Sequence, residues 1–486
     1  MPEHFLESHQ HVRGNYIGNG WQEPEAWMAA TSPIDDSVLC RIPASGVHEV
    51  DRALTAAVAA SGKMRRLSVW DRSRLCRRIA DRIEANKEEL ARLVTIDQGK
   101  PLAEARAEIG KAIEGFANVA EMIKWLEGRL IPSEDPSKIV TSRFVAKGVQ
   151  AVITPWNFPI NIPVEYIAPG LAAGNAIVWI PAPSTSVCAA RFMEVIAGAD
   201  LPDGSLNLVI GRGAEAGASL VSDPRINVVG FTGSSATGLA IARAAAGKSM
   251  LLELGGNGPV VVMDDADLER AAQGALSGAF FNGGQTCAAT GRVLVHRRVH
   301  DRFVDLLVKG AETVRVGNPL DPETTMGPLN NTGVRDKVLA HLDDARQAQS
   351  RIAFGGKPLN DMGSHYVEPA IIADVREDAL LNREETFGPV VPVIAVDGLD
   401  DALRLTNDSP YGLSCAIYTS DLHRAHRFSE EARSGLVVVN DSSLYWELHI
   451  PFGGAAGTLS GLGRLGGADT IKALSDVRTT IVDHSR

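Results

Sequence analysis

The sequence predicts an α/β fold with two parallel sheets and a small additional β element. Uniformly apolar segments such as Val149–Ile153 alternate with helical segments, which is typical of strands covered by helices on both faces. The alternation begins again at residues 260–263 and continues to residues 437–440. Residues 137–145 instead alternate between polar and apolar side chains, as an exposed strand does. The chain has 486 residues, and we therefore expect two Rossmann-like α/β domains and one separate β element.

The chain before these strands is predicted to be helical. Apolar residues recur at helical spacing from Val47 to about residue 127, and further helices are expected to begin near Trp70, Lys87 and Leu102. The polar faces of these helices are charged and rich in alanine. We therefore expect them to be solvated scaffold without a chemical role.

Composition excludes several classes of function. The net charge of −11 leaves no basic footprint for nucleic acid. No apolar run reaches the roughly eighteen residues of a transmembrane helix, and residues 1–5 do not resemble a signal peptide. The five cysteines show no pairwise spacing, so we expect no metal site, no disulfide framework and a cytoplasmic location.

The carboxyl ends of the predicted strands are the expected ligand site, because parallel sheets bind ligands there. No Gly-x-Gly-x-x-Gly follows the first of these strands, so the common dinucleotide fingerprint is absent. Ser234 instead precedes a predicted helix, where it could be a plain N-cap or a phosphate ligand. The residues at three strand ends are Ile180, then Gly211 and Arg212, then Phe231, Thr232, Gly233 and Ser234.

Two residues further along the chain suggest covalent catalysis. Cys287 ends a loop of small residues that begins at Phe281, and a thiolate on such a loop is a strong nucleophile. Glu253 lies in an apolar run beside two glycines, where burial would raise its pKa toward that of a useful base. Taken alone, Cys287 could equally be an ordinary core cysteine.

Six motifs in a fixed order resolve this ambiguity. They are Pro155-Trp156-Asn157-Phe158-Pro159, Phe231-Thr232-Gly233-Ser234, Leu252-Glu253-Leu254-Gly255-Gly256, Gly284-Gln285-Thr286-Cys287, Glu384-Glu385-Thr386-Phe387-Gly388-Pro389 and Pro451-Phe452-Gly453-Gly454. The chain resembles the aldehyde dehydrogenase superfamily from about Tyr16 to about Val482.

The resemblance implies oxidation of an aldehyde to a carboxylate with hydride transfer to NAD or NADP. Cys287 would form first a thiohemiacetal and then a thioester, and Glu253 would activate the water that releases the acid. The side-chain amide of Asn157 and the Cys287 N–H would stabilise the oxyanion. Asn157 could instead serve only to fix a proline-flanked turn.

The resemblance also predicts two sets of binding residues. The cofactor set is Thr154, Pro155, Trp156, Ile180, Pro183, Gly211, Arg212, Phe231, Thr232, Gly233, Ser234, Leu254, Gly255, Glu385 and Phe387. The substrate set is Phe158, Ile162, Glu165, Tyr166, Thr286, Tyr445, Trp446, His449 and Phe452. Glu385 could instead form a surface ion pair with a neighbouring residue.

The sequence departs from the family pattern at several positions. Ile180 and Pro183 replace a lysine and a glutamate that usually hold the adenosine ribose, which predicts that NADP is accepted at least as well as NAD. Arg212 could bind a 2′-phosphate, or could be a solvated loop arginine. Tyr166 and Leu465 stand where the family commonly has a basic and an acidic residue, and residues 455–459 resemble a short insertion.

The resemblance further implies a domain plan and an oligomer. We expect a cofactor-binding domain at residues 1–126 and 147–253, a catalytic domain at 254–450, and an oligomerisation element at 127–146 and 470–486. This element would make a homodimer or homotetramer. Two other functions stay open: a coenzyme A-acylating dehydrogenase, which Glu253 argues against, and a catalytically impaired dinucleotide-binding protein.

Overall fold

The computed structural model describes residues 12–485. Residues 1–11 lie outside the described part, and so do the two predictions that concern them, the beginning of the cofactor-binding domain and the missing signal peptide. Within residues 12–485, no helix combines the length and the apolar character needed to cross a bilayer.

The first half of the chain, up to Glu253, contains both strands and long helices. The strands are β1 (Asn15–Ile17), β2 (Gly20–Gln22), β3 (Trp27–Thr31), β4 (Val38–Pro43), β5 (Arg129–Ile131), β6 (Lys138–Ala146), β7 (Val149–Ile153), β8 (Ala176–Ile180), β9 (Leu206–Leu208), β10 (Val228–Thr232) and β11 (Ser249–Glu253). The helices are α1 (Val47–Arg66), α2 (Val69–Ala85), α3 (Lys87–Gln98), α4 (Leu102–Met122), α5 (Asn161–Ala173), α6 (Ser186–Ala197), α7 (Ala218–Ser222) and α8 (Ser235–Ala244).

The second half continues the alternation of strands and helices. Its strands are β12 (Pro259–Val262), β13 (Arg292–His296), β14 (Arg351–Gly355), β15 (Ala370–Ala373), β16 (Val390–Val396), β17 (Ser414–Tyr418), β18 (Leu436–Val439), β19 (Gly461–Leu462) and β20 (Ser475–Asp483). Its helices are α9 (Leu268–Phe280), α10 (His300–Ala311), α11 (Thr332–Gln347), α12 (Leu380–Arg383), α13 (Leu399–Asn407), α14 (Leu422–Glu431) and α15 (Gly467–Ala473).

Two large sheets organise these elements. The first has eight strands in the order β19-β11-β10-β7-β8-β9-β1-β2, and its five central strands are parallel. The second has seven strands in the order β14-β15-β16-β13-β12-β17-β18, parallel except at β14. The α/β class with two parallel sheets is thereby confirmed.

Apolar packing covers both faces of each sheet. On the first sheet, α1, α7 and α8 bury residues such as Leu54 on one face, while α2 to α6 bury residues such as Phe116 on the other. On the second sheet, α9 and α10 bury Phe303 against one face and α11 to α14 bury Phe428 against the other. Such coverage explains why the central strands read as continuous apolar runs.

A third sheet lies apart from these two. Strand β20 pairs antiparallel with β6, Ile481 opposite Val140, and β5 continues the sheet on the other side. The predicted pairing of the C-terminal strand with residues 137–145 is therefore present within one chain. Its surface leaves several large apolar side chains exposed, among them Val477 and Ile481.

The glycine-rich segment from Phe452 to Gly467 is predicted from the sequence to be a loop, but it contains a strand. Gly461 and Leu462 form β19, which adds to the edge of the first sheet opposite Leu252 and Glu253. A Cβ on Gly461 would lie 2.0 Å from the Leu252 carbonyl oxygen, so the approach requires glycine. A strand of two residues has too little sequence to show a period, which explains the error.

Candidate active site

Asn157 lies on a tight turn after β7 that is held from behind by a buried ion pair. Its carbonyl oxygen accepts a 2.8 Å hydrogen bond from Lys100 Nζ, and Lys100 in turn contacts Glu108 at 2.6 Å. The other Glu108 oxygen accepts the backbone N–H groups of Ile160 and Asn161 at 2.9 and 3.1 Å. Both charged side chains are buried. Three hydrogen bonds from one ion pair thus fix the segment that carries Asn157.

The same turn is joined to the cysteine loop. Asn157 Nδ2 donates to the Gln285 carbonyl at 2.9 Å, and Asn282 Nδ2 donates back to the Asn157 carbonyl at 3.0 Å. Asn157 is only 3% exposed. The amide therefore lies beside the backbone that leads to Cys287, and its position is set by loops from both halves of the chain.

The cysteine loop follows α9 through three consecutive left-handed residues, Asn282, Gly283 and Gly284, with φ of 52°, 60° and 75°. A Cβ on Gly284 would lie 2.2 Å from the Gly388 carbonyl oxygen, so this glycine permits the loop to pack on the segment that carries Phe387. The glycines noted in the sequence thus shape the loop.

Cys287 differs from the other four cysteines in its accessibility. Cys40, Cys76, Cys188 and Cys415 are fully buried, whereas Cys287 is partly exposed. Burial raises the pKa of the Cys287 thiol, and the nearby carboxylates of Glu385, Glu253 and Glu165 raise it further. The thiol is therefore protonated at neutral pH and needs a base or a positive charge nearby to become a nucleophile.

Glu253 ends β11 at the boundary between the two large sheets and is 2% exposed. Burial raises its pKa well above the ordinary value, the Glu165 carboxylate adds to this rise, and the Arg464 guanidinium opposes it. Neither of its carboxylate oxygens has a hydrogen-bond partner among the described residues. The raised pKa makes this carboxylate, when it is ionised, a stronger base than an exposed glutamate.

A cavity of about 270 Å³ leads to Cys287 from the first sheet. Of the residues predicted to bind the cofactor, it is lined by Pro155, Trp156, Thr232, Gly233, Ser234, Leu254, Gly255, Glu385 and Phe387. Asn157 and Cys287 lie in the same lining. Sequence reasoning missed Asn331, Gly333, Val334 and Lys337, which come from α11 and the residue before it and belong to no motif, and it also missed Thr386, which lies between Glu385 and Phe387.

This cavity fits a nicotinamide dinucleotide. Ser234 caps α8 by accepting from the Thr237 N–H at 3.3 Å, so the free amide groups of a helix N-terminus face the cavity. Glu385 Oε1 accepts the Gly256 N–H at 3.0 Å, and a Cβ on Gly255 would lie 2.7 Å from Glu385 Oε2. The wall thus presents a helix N-terminus and a carboxylate, groups that can bind a phosphate and a ribose hydroxyl.

Comparison with known proteins agrees with this geometry. The aldehyde dehydrogenase family model matches residues 21–480. The chain belongs to the aldehyde dehydrogenase family. It is 36% identical over 448 residues to α-ketoglutaric semialdehyde dehydrogenase of Bacillus subtilis, covering 90% of this chain and 92% of that protein.

Two solved structures show the same fold. An NADP-dependent enzyme from E. coli is 34% identical with a TM-score of 0.95, covering 98% of this chain and 99% of that one. Betaine aldehyde dehydrogenase from Staphylococcus aureus in complex with NAD+ is 31% identical with a TM-score of 0.96, covering 99% and 97%. The protein is accordingly an NAD(P)-dependent oxidoreductase that acts on an aldehyde.

Positions 180 and 183, where the family usually has a lysine and a glutamate that hold the adenosine ribose, carry uncharged side chains in this chain. The Ile180 side chain is 1% exposed and packs in the core, while its carbonyl accepts the Thr154 N–H at 3.1 Å. Pro183 begins a short turn. The Arg212 side chain is exposed and has no ion pair or hydrogen bond within residues 12–485. Thr154, Gly211 and Phe231 are buried and do not line the cavity.

A second, narrower cavity of about 30 Å³ lies between α4, α5, α15 and the segment that carries Trp446. Two predicted substrate residues, Glu165 and Trp446, line it, and Trp446 packs at 5.4 Å against the ring of Phe452. Sequence reasoning missed the contribution of α4 and α15, because the helices of the N-terminal region were expected to be scaffold. These residues are Gly115, Asn118, Val119, Met122 and Thr470.

The remaining predicted substrate residues occupy different surroundings. Phe158 stacks on Phe281 at 6.0 Å, and Thr286 is buried beside Cys287 in the chain. Tyr445 and His449 are exposed, and both contact Glu447. Ile162 is buried in the core of the first half.

The placement of Tyr166 in the substrate wall is wrong. Its ring is fully buried, and its hydroxyl lies 3.0 Å from the Phe231 carbonyl oxygen and 2.8 Å from Thr232 Oγ1. Tyr166 thus fastens α5 to the end of β10. A buried tyrosine needs such a partner, and the side chain is therefore structural. Leu465, the other replaced position, is also buried in this core.

Proposed function

We propose that Cys287 is the nucleophile of this aldehyde dehydrogenase, that Asn157 and the Cys287 N–H stabilise the oxyanion, and that Glu253 activates the hydrolytic water. The observation that carries the proposal is the convergence of a partly accessible thiol, a fixed amide donor and a buried unpaired carboxylate at the boundary between two sheets. An oxyanion donor contributes roughly 3–4 kcal/mol to lowering a barrier of this type.

The reaction follows from these roles. After the Cys287 thiol loses its proton to solvent, the sulfur bonds to the aldehyde carbon, and the carbonyl oxygen gains a negative charge that Asn157 Nδ2 and the Cys287 N–H stabilise. When bound, NAD or NADP supplies the hydride acceptor. Loss of hydride from the carbon leaves a thioester on Cys287. Glu253 takes a proton from water, the hydroxyl bonds to the thioester carbon, and the carboxylic acid leaves as the C–S bond breaks.

The position of Glu253 supports the hydrolytic reaction over transfer to coenzyme A. A buried carboxylate without a hydrogen-bond partner among the described residues has its proton-accepting oxygens free for water. We infer that water, and not a thiol cosubstrate, releases the acyl group. The catalytically impaired alternative is disfavoured because Cys287, Glu253 and Asn157 are all present and assembled.

Domain roles and assembly are part of the same proposal. The two large sheets support residues 1–126 and 147–253 as the cofactor-binding domain and residues 254–450 as the catalytic domain. Strand β19, which follows residue 450 in the chain, adds to the edge of the first sheet. The sheet at 127–146 and 470–486, with its exposed apolar residues, supports a homodimer or homotetramer. Five free cysteines support a reducing, cytoplasmic location.

The reaction is tested by following reduced nicotinamide absorbance with a panel of aldehydes, with NAD and NADP in turn, and by identifying the product. We expect the free carboxylate to form without coenzyme A. Cys287→Ala should abolish the signal while cofactor binding by calorimetry persists, and Cys415→Ala, which changes a buried cysteine of the second sheet, should retain activity. Equal turnover by Cys287→Ala would overturn the proposal.

A further inference from the structure

The narrow cavity between α4, α5, α15 and Trp446 has one charged residue in its wall. Of the twelve described residues that line it, only Glu165 carries a charge, and the others are apolar, glycine or neutral polar. Glu165 lies on α5, one turn after Asn161, whose Nδ2 donates to Glu165 Oε1 at 2.6 Å. A ligand in this cavity therefore meets a carboxylate and no basic group.

Trp446 connects the wall of this cavity to the surroundings of Cys287. This residue lines the cavity and also packs in the apolar cluster that contains Cys287, Ala288 and Phe452. The Glu165 carboxylate is near enough for its charge to raise the pKa of both Cys287 and Glu253. A substrate whose aldehyde carbon lies at Cys287 would thus extend its other end along Trp446 toward Glu165.

Asn161, the hydrogen-bond partner of Glu165, supplies a further acceptor that needs a donor. The Asn161 Oδ1 atom is buried and has no hydrogen-bond partner among the described residues. The one polar hydrogen of the Trp446 ring is already donated to the Ile450 carbonyl at 2.8 Å, so its ring face is what remains for a ligand. An ammonium group has three donors and no acceptor, and aromatic faces attract cations.

We propose that this enzyme oxidises an aldehyde whose far end carries a cation such as a protonated amine, and that Glu165 is the specificity-determining residue that binds it. This proposal rests on the proposed function, the oxidation of an aldehyde at Cys287. A substrate that ends in a carboxylate would bring a second negative charge to Glu165 without a lysine or arginine in the lining to compensate it.

The electrostatics of the cavity are consistent with a cationic ligand. Burial raises the pKa of Glu165 to about 8, so the cavity without a ligand favours the protonated acid near neutral pH. A cation at hydrogen-bond distance favours the ionised form and gives the buried charge a partner. The ionised Glu165 carboxylate is therefore more stable with a cation in the cavity than without one.

The test compares three aldehydes of equal chain length that differ only in their far end: 4-aminobutanal, butanal and 4-oxobutanoate. We expect kcat/KM for 4-aminobutanal to exceed that for butanal by roughly ten- to hundredfold, as for a charged hydrogen bond in a partly buried site, and 4-oxobutanoate to be the poorest. Glu165→Gln should reduce the ratio of kcat/KM for 4-aminobutanal to kcat/KM for butanal toward one. Glu114→Gln, which changes an exposed carboxylate on α4, should leave this ratio unchanged.

Binding provides a readout that does not depend on turnover. In calorimetry, n-butylamine should bind the wild-type enzyme more tightly than butyrate, and Glu165→Gln should remove the difference. A wild-type preference for 4-oxobutanoate, or an amine preference that survives Glu165→Gln, would overturn the assignment of Glu165. Absence of any aldehyde oxidation would instead contradict the proposed function, while the amine-binding comparison would still decide the role of Glu165.

Discussion

Lys100 Nζ lies 2.8 Å from the carbonyl oxygen of Asn157, in the interior of the protein. The ammonium also lies 3.9 Å from the centre of the Phe158 ring and is neutralised by Glu108. A charge is costly to bury unless it is paired and hydrogen-bonded, and here the ion pair holds the turn that presents the proposed oxyanion donor, Asn157. Lys100 is in this sense a positioning residue.

Lys100→Met should lower kcat more than it raises KM. The substitution retains the apolar stem but leaves Glu108 buried without its partner, which destabilises a protein by roughly 3–5 kcal/mol and releases Asn157. Steady-state kinetics and denaturant unfolding measure the two effects. Lys111→Met, which removes an exposed ammonium paired with Glu114 on the same helix, is the matched control and should change neither. Unchanged kcat in a folded Lys100→Met enzyme would refute the positioning role.

Arg212→Ala should weaken NADP binding by roughly tenfold and leave NAD binding unchanged. Arg212 is exposed near the end of the first sheet, and a guanidinium can bind a 2′-phosphate as a planar fork. Calorimetric titration of both cofactors gives the two dissociation constants. Arg376→Ala, an exposed arginine of the second half, serves as the control. Equal effects on both cofactors, or none, would mean that Arg212 is only a solvated loop residue.

Asp97→Asn should make the unfolding free energy less dependent on pH. Burial raises the pKa of Asp97 to about 7, so the folded state holds this proton more tightly than the unfolded state, whose pKa is about 3.8. The contribution of this proton to the free energy of unfolding is fully present below about pH 4. It is lost as pH rises to about 7, at roughly 1.4 kcal/mol for each pH unit in that window. Denaturant unfolding between pH 4 and 8 measures the slope. An identical slope in the variant would contradict the prediction, and Asp81→Asn on the surface of α2 is the control.

Ile481→Glu should dissociate the oligomer without unfolding the chain. Ile481, Val477 and their partners Val140 and Phe144 share one face of the small sheet, and Ile481 is 64% exposed in the single chain. Sedimentation should show a lower mass for this variant. Thr480→Glu places the same charge on the opposite face of the same strand and should keep the wild-type mass. A wild-type mass for both would exclude this face as the interface.

The sequence predicted the fold well because its central strands are long, apolar and separated by strongly periodic helices. It also placed Cys287, Glu253 and Asn157 through motifs that require glycine, proline or a buried carboxylate. It missed Lys100 and Glu108, because Lys100 lies in the connection between α3 and α4 and Glu108 lies in a helix whose visible pattern is only a charged face. Their hydrogen bonds to the turn that carries Asn157 join residues 57 and 52 positions apart in the chain. Tyr166 was misplaced because burial cannot be read from an aromatic residue in a helix that is apolar all round.

Rapid mixing of Glu253→Gln with aldehyde and cofactor tests the central claim most directly. The amide has nearly the volume of the carboxylate but cannot take a proton from water. We predict a burst of reduced cofactor close to one equivalent per Cys287, followed by a stall with the acyl group on the thiol, while Glu384→Gln, a neighbouring exposed carboxylate of the second half, turns over normally. Steady turnover at the wild-type rate by Glu253→Gln, or loss of the burst together with turnover, would contradict the role of Glu253 in releasing the acid.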